Sequence, residues 1–171
     1  MTELVRMGKQ AKKAAYQLAL LDADTKNRAL YAAAEALEAQ ADDILSENAK
    51  DLETGRKNGM SEGLLDRLML DRARIRAMAQ GLCQIAELPD PVGETLERFV
   101  RPNGLEIEKR RVPLGVIGII YESRPNVTAD AFGLCFKSGN AVLLKGGSDA
   151  LHSNIAIETV LRQALGQQGL N

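Results

Sequence analysis

The string KGGSDA, residues 145–150, joins a strand-like apolar run to a helix-like one. Lys145 offers an ammonium at a strand end, and Gly146 and Gly147 let the main chain approach a ligand closely. Ser148 adds a hydroxyl near a helix start, where free N–H groups favour anions. Phosphate or ribose oxygens suit such donors. The glycines follow the lysine instead of preceding it, so this is not a P-loop, and GVIGII lacks the G-x-G-x-x-G fingerprint. Read alone, a Lys-Gly-Gly-Ser turn is more often a plain strand-to-helix connection. A second loop, YESRPN at residues 121–126, carries Arg124, able to grip a phosphate or carboxylate bidentately, and Asn126, able to cap a helix. A surface arginine before a proline also needs no ligand. Cys83 and Cys135 lie on apolar stretches, where a thiol has a raised pKa and serves core packing. His152 is read as a helix-surface residue without an acidic partner, and no cysteine or histidine spacing calls for a metal.

Elements must bring these loops together. From Asp24, apolar residues Leu30, Ala34, Leu37, Ala41, Leu45 and Leu52 form the stripe of one helix, capped by Asp24 or Thr25 and broken at Gly55 and Gly59. Ser61 opens a shorter helix through Leu70, and Asp71 opens another with Ile75, Met78, Leu82 and Ile85 inward. PDPVG, residues 89–93, ends the helical region. LERFV and LEIEKRRV then flank RPNG, a hairpin in which Asn103-Gly104 supplies positive φ. LGVIGIIYE reads as a central strand buried on both faces. TADAFGLCFKSG reads as a short helix and NAVLLKGG as a second buried strand. Ser148 begins a last helix with Leu151, Ile155, Val160, Leu161 and Leu165 inward. Strand, helix and strand make a right-handed βαβ unit, whose loops beyond the carboxyl ends of the strands are where α/β sheets bind ligands. A further strand is expected after Gly169, and without it a sheet edge stays exposed.

The bulk numbers narrow the classes. A chain of 171 residues with net charge −1 and two cysteines fits a soluble protein of a reducing, cytoplasmic compartment. Neither nucleic acid nor a membrane is an expected partner, because there is no basic excess and no long apolar run.

The segment VPLGVIGIIYESRPNVTADAFGLCFKSGNAVLLKGGSDALHSN closely resembles the γ-glutamyl phosphate reductase family of the aldehyde dehydrogenase superfamily. YESRPNVT and SGNAVLLKGGSDA are its sharpest signatures, and the helices and hairpin agree in order and length. The resemblance implies an α/β fold: N-terminal helices over residues 1–90, a hairpin over 91–112, and the first part of an aldehyde dehydrogenase-like, Rossmann-type cofactor domain over 113–171. It also implies that the catalytic domain, with its cysteine nucleophile, is absent. The implied reaction reduces L-glutamate 5-phosphate with NADPH in proline biosynthesis. A thiolate attacks the acyl phosphate, phosphate leaves, and hydride releases L-glutamate 5-semialdehyde. Lys145 then matches the superfamily's cofactor-contacting lysine, with Gly146, Gly147 and Ser148 beside it. Ser148 stands where NAD-preferring members often carry a glutamate, and a neutral hydroxyl does not repel a 2′-phosphate. Asn126 becomes a candidate oxyanion donor, although an ungapped count reaches Glu122 instead, and Arg124 becomes a candidate substrate contact.

Two alternatives remain. One is another acyl reductase of the superfamily. The other is a non-catalytic module in which the hairpin ERFVRPNGLEIEKR builds a homo-oligomer or serves regulation. As part of a reductase, the segment alone is not expected to turn over.

Overall fold

Helical stripes occupy the first half of the chain, and the computed structural model, which describes residues 2–170, divides them into five helices. These are α1 (Glu3–Leu18), α2 (Ala23–Ala39), α3 (Ala41–Lys57), α4 (Glu62–Leu68) and α5 (Arg72–Glu87). The single helix expected between Asp24 and Gly55 is two, because the chain turns at Gln40. That turn folds both halves of the stripe onto one core, in which Leu30 and Leu37 of α2 and Ile44 of α3 are fully buried. Asp22, not Asp24 or Thr25, caps α2, its carboxylate accepting the Thr25 N–H at 2.7 Å. Gly55 does not interrupt α3. It is a buried helical position facing Leu65 and Met60, and the helix ends only at Asn58. Asp71 caps α5 as its spacing suggests, accepting the Arg74 N–H at 2.7 Å.

Strands β1 (Thr95–Val100) and β2 (Glu106–Arg110) pair antiparallel, with Phe99 opposite Ile107 and Val100 opposite Glu106. Their turn is longer than the two-residue form read from Asn103-Gly104. Arg101 N–H bonds the Leu105 carbonyl at 2.8 Å and Gly104 N–H the Arg101 carbonyl at 2.9 Å, enclosing Pro102, Asn103 and Gly104. Only Gly104 takes a positive φ, 82°, which marks the three-residue loop with a glycine bulge. Both faces of this ribbon are largely exposed.

Strands β3 (Val116–Ile120) and β4 (Ala141–Lys145) are parallel neighbours in register from Val116–Ala141 to Ile120–Lys145, with α6 (Asn126–Lys137) as the crossover. The expectation that β3 is a central strand buried on both faces is wrong for this chain. Its one described neighbour is β4, and Ile120 is 85% exposed. An Ile- and Val-rich strand records a need for cover, and the described residues supply it on one side only. Helices α1 and α6 pack on the sheet, with Ala11 and Ala15 of α1 against Ala141.

The last helix starts later than expected. Ser148–Ala150 is a 3₁₀ turn, and α7 runs over Leu151–Gln167. Val160 and Leu161 are buried as expected, but Leu151 and Ile155 face outward, and Ser153, Ile157 and Ala164 take the inner stripe. One apolar cluster joins α2, α3, α5, α6 and α7, including Leu30, Ile44, Leu82, Phe132, Phe136 and Ile157. At roughly 1.5–3 kcal/mol per large buried side chain, this shared cluster holds the crossover helix to the N-terminal helices.

A buried polar knot closes the same junction. The fully buried Lys26 ammonium pairs with Asp90 of the PDPVG segment and donates to the Lys137 carbonyl at 3.2 Å. Lys137 in turn donates to Asn27 Oδ1 at 2.6 Å and to the Ala86 carbonyl at 2.8 Å. The segment that ends the helical region is thus anchored by an ion pair.

Candidate functional site

Because β3 and β4 are parallel, their carboxyl ends release loops 121–126 and 146–150 at the same sheet edge. Tyr121 N–H continues the ladder by donating to the Lys145 carbonyl at 3.1 Å, and Ser123 Oγ donates to Asp149 Oδ2 at 3.1 Å. Thr128 Oγ1 donates to Asn154 Oδ1 at 3.0 Å. Its one proton being used there, the Tyr121 hydroxyl is the donor in the 2.7 Å contact to Thr128 Oγ1. A Cβ at Gly146 would collide with the Asn154 amide and stand 3.2 Å from the Tyr121 ring. A side chain at 146 would therefore force Asn154 away from its Thr128 bond, a demand of the packing in addition to ligand approach.

Lys145 is exposed at the end of β4, with Nζ near its neighbour's Gly146 carbonyl at 3.1 Å. Ser148 opens the 3₁₀ turn, so it lies three residues before α7. The donors of α7 itself are not waiting for an anion. Asp51 of α3 accepts the N–H groups of His152 at 3.2 Å and Ser153 at 2.8 Å, and the Ser153 hydroxyl at 2.6 Å. This corrects the expectation that the helix start favours a ligand anion there, because a carboxylate of the protein already fills that role. The donors left in the loop are the Lys145 ammonium, which keeps N–H groups beyond its Gly146 contact, the Ser148 hydroxyl, and the amides of Gly147 and Ser148, these two amides having no protein acceptor among the described residues.

The YESRPN loop has two sides. Ser123 turns toward Asp149, whereas Arg124 and Asn126 line a cleft of about 460 Å³ between α4, α5 and α6. Lys145 takes no part in it. Asp66, Arg67, Met69, Leu70, Arg74, Ala77, Met78 and Asp130 complete its walls. Asn126 does not cap α6, contrary to the capping role its sequence position suggests. It is the helix's first residue after Pro125, and its Nδ2 donates along the helix to Asp130 Oδ2 at 3.1 Å. Burial pushes the Asp130 carboxyl above its usual range, opposed only by that amide. Arg74 is committed locally, to Asp66 Oδ1 at 2.7 Å and the Met69 carbonyl at 2.8 Å. Asp130 escapes a reading based on charge alone; its step of four from Asn126 on one helix was the available signal.

Burial raises both thiols, Cys135 inside α6 and Cys83 on α5, where Glu87 adds to the effect. His152 does have an acidic neighbour, contrary to the sequence reading: its Nδ1 lies 3.5 Å from Glu47 Oε2 across α3 and α7. Among the described residues no cluster of His, Cys, Asp and Glu is arranged to hold a metal, and no helix is long and apolar enough to cross a membrane.

No family model matches the chain. Among curated proteins, a γ-glutamyl phosphate reductase of Heliobacterium modesticaldum is 56% identical over 169 residues, covering 99% of this chain and 40% of its own length. A solved γ-glutamyl phosphate reductase of Thermotoga maritima superposes with a TM-score of 0.97 at 44% identity, over 99% of this chain and 41% of its own. The wider fold extends to an NAD-dependent benzaldehyde dehydrogenase of Corynebacterium glutamicum, with a TM-score of 0.68 at 22% identity over 91% of this chain and 32% of its own. The chain thus spans about 40% of the length of the curated relatives it matches. Over that span it is homologous to γ-glutamyl phosphate reductases and carries the corresponding part of the aldehyde dehydrogenase fold.

Proposed function

We propose that this chain forms the nucleotide side of a reductase that converts L-glutamate 5-phosphate to L-glutamate 5-semialdehyde and phosphate with NADPH. The observation that carries the reading is the match of nearly the whole chain, loops included, to reductases of that name. The pairing of loops 121–126 and 146–150 at the carboxyl edge of parallel strands adds physical support. An ammonium, a hydroxyl and two unengaged amides suit ribose and phosphate oxygens, so the residues present fit a dinucleotide. Bound NADPH supplies hydride. Lys145 and Ser148 hold its ribose side, and Gly146 and Gly147 keep the loop low enough for that approach.

Ser148 favours NADPH over NADH because it brings no negative charge to a 2′-phosphate, and the adjacent Asp149 is engaged by Ser123. Arg124 contacts an anionic group of the substrate, and Asn126 offers an amide N–H to the acyl oxygen. The nucleophilic thiolate belongs to the part of the relatives beyond this match; the partly buried Cys83 and the buried Cys135 are packing residues. Residues 1–90 act as support, 91–112 as an assembly hairpin for a homo-oligomer and 113–171 as the cofactor unit, all in the cytoplasm.

Calorimetric titration of a full-length reductase carrying this segment tests the reading. NADPH is expected to bind at least about tenfold more tightly than NADH, and Lys145→Ala to weaken both. A folded protein with no affinity for NADPH would refute it.

A further inference from the structure

The cleft between α4, α5 and α6 holds a charge arrangement that the fold does not require. Its floor is apolar, from Met69, Leu70, Ala77 and Met78. Of its charged groups, Asp66 and Arg74 neutralise each other. Arg67 and Arg124 have no ion-pair partner among the described residues, and Asp130 meets only the Asn126 amide. Asp130 is half-buried, close against α5, where a Cβ at Gly81 would stand 3.7 Å from Oδ1. No cation answers it. A carboxylate in that position lowers stability, as its raised pKa also indicates, and natural proteins retain such groups where a ligand supplies the missing charge.

From this geometry we infer that the cleft is the amino-acid recognition site of the proposed reductase: Asp130, held by Asn126, receives the α-ammonium of the glutamyl substrate, and Arg67 and Arg124 receive its anionic groups. The inference rests on the reading under Proposed function and goes beyond it by assigning groups of this chain to the two ends of the substrate. An α-amino acid with an anionic side chain presents one ammonium and two anions separated by a short methylene chain. The cleft presents one unpaired carboxylate and two unpaired guanidinium groups around an apolar floor. Guanidinium groups match carboxylate and phosphate oxygens bidentately, and the methylenes lie against Met78 and Met69. The Asn126–Asp130 bond fixes the carboxylate at the cleft wall through Oδ2 and brings no positive charge to it. Arg124 and Ser123 are adjacent, so the same loop that closes on the 146–150 loop also carries the substrate anion contact. Substrate and cofactor contacts are thereby linked through one short segment.

The test is an NMR amide-shift titration of the chain with L-glutamate and with glutarate, which keeps both carboxylates and lacks the ammonium. L-Glutamate is expected to shift amides along the cleft, and glutarate to bind about tenfold more weakly, the loss of one charged contact. Asp130→Asn should remove the preference while leaving the fold intact, and Arg124→Gln should weaken both ligands alike. Equal binding of the two ligands to the unaltered chain, shifts confined to other surfaces, or no shifts at all would overturn the inference. The comparison on the unaltered chain decides the matter even if a variant fails to fold. A full-length protein that binds NADPH without preferring L-glutamate refutes this assignment alone; loss of NADPH binding refutes the reading beneath it.

Discussion

Asp130 gives the sharpest residue-scale consequence. Its folded pKa lies above the ordinary 3.8 because burial disfavours the anion. A raised folded pKa means that the folded state holds the proton more firmly, so the associated stability is present below 3.8 and lost as pH rises through the folded value. Asp130→Asn avoids that loss. The variant is expected to melt at a higher temperature than the parent at neutral pH, with the gap closing toward pH 3; a variant less stable at pH 7 would contradict the burial argument. Gly146 offers a second check, because a methyl group there must displace the Asn154 amide from the Tyr121–Thr128–Asn154 chain. Gly146→Ala should cost about 1–3 kcal/mol in urea denaturation, the usual range for overpacking. A neutral effect would show that Asn154 moves freely. Residue chemistry was only partly readable beforehand. Lys145, Gly146, Gly147 and Ser148 stand out by type and order, whereas Asp51 does not, since the helix it caps lies 102 residues along the chain, and Asp130 shows only its step of four from Asn126, its lack of a cation depending on which helices pack around it.

At the scale of elements, periodicity located nearly every helix but misjudged where stripes divide. Leu37 and Ala41 are spaced as one helix would have them, yet Gln40 between them carries a turn, which lets α2 pack on α5 and α7 and α3 pack on α7 and α4. The strand β3 shows the converse: its apolar run marks a strand, but its cover depends on neighbours that a local pattern does not contain. The PDPVG segment was visible as a break and invisible as an anchor. Asp90→Asn should destabilise the chain by about 3 kcal/mol, since it leaves the Lys26 ammonium buried without its partner. A shift in urea midpoint well below that would mean Lys137 and the carbonyls suffice to hold the charge. Lys137 itself has a depressed pKa, first from burial, so its contribution rises with pH as it approaches the ordinary 10.5.

At the scale of the whole chain, the described residues of the hairpin and β3 leave apolar groups exposed: Leu96, Phe99, Val100, Leu105 and Ile120. Such a ribbon is suited to pairing with a second copy, and the proposed homo-oligomer follows from it. Replacing Phe99 and Val100 with lysine is expected to lower the mass seen by light scattering while the helical circular dichroism persists. An unchanged mass would remove the hairpin from assembly. The central claim concerns function, and it is tested most directly by exchange. This segment would replace the matching part of the Heliobacterium modesticaldum relative, and phosphate-dependent reduction of NADP⁺ by L-glutamate 5-semialdehyde would be followed by absorbance. The chimera is expected to turn over, with Lys145→Ala raising the KM for NADP⁺ by about tenfold or more. A folded chimera with no phosphate-dependent turnover, or one indifferent to Lys145→Ala, would contradict the account.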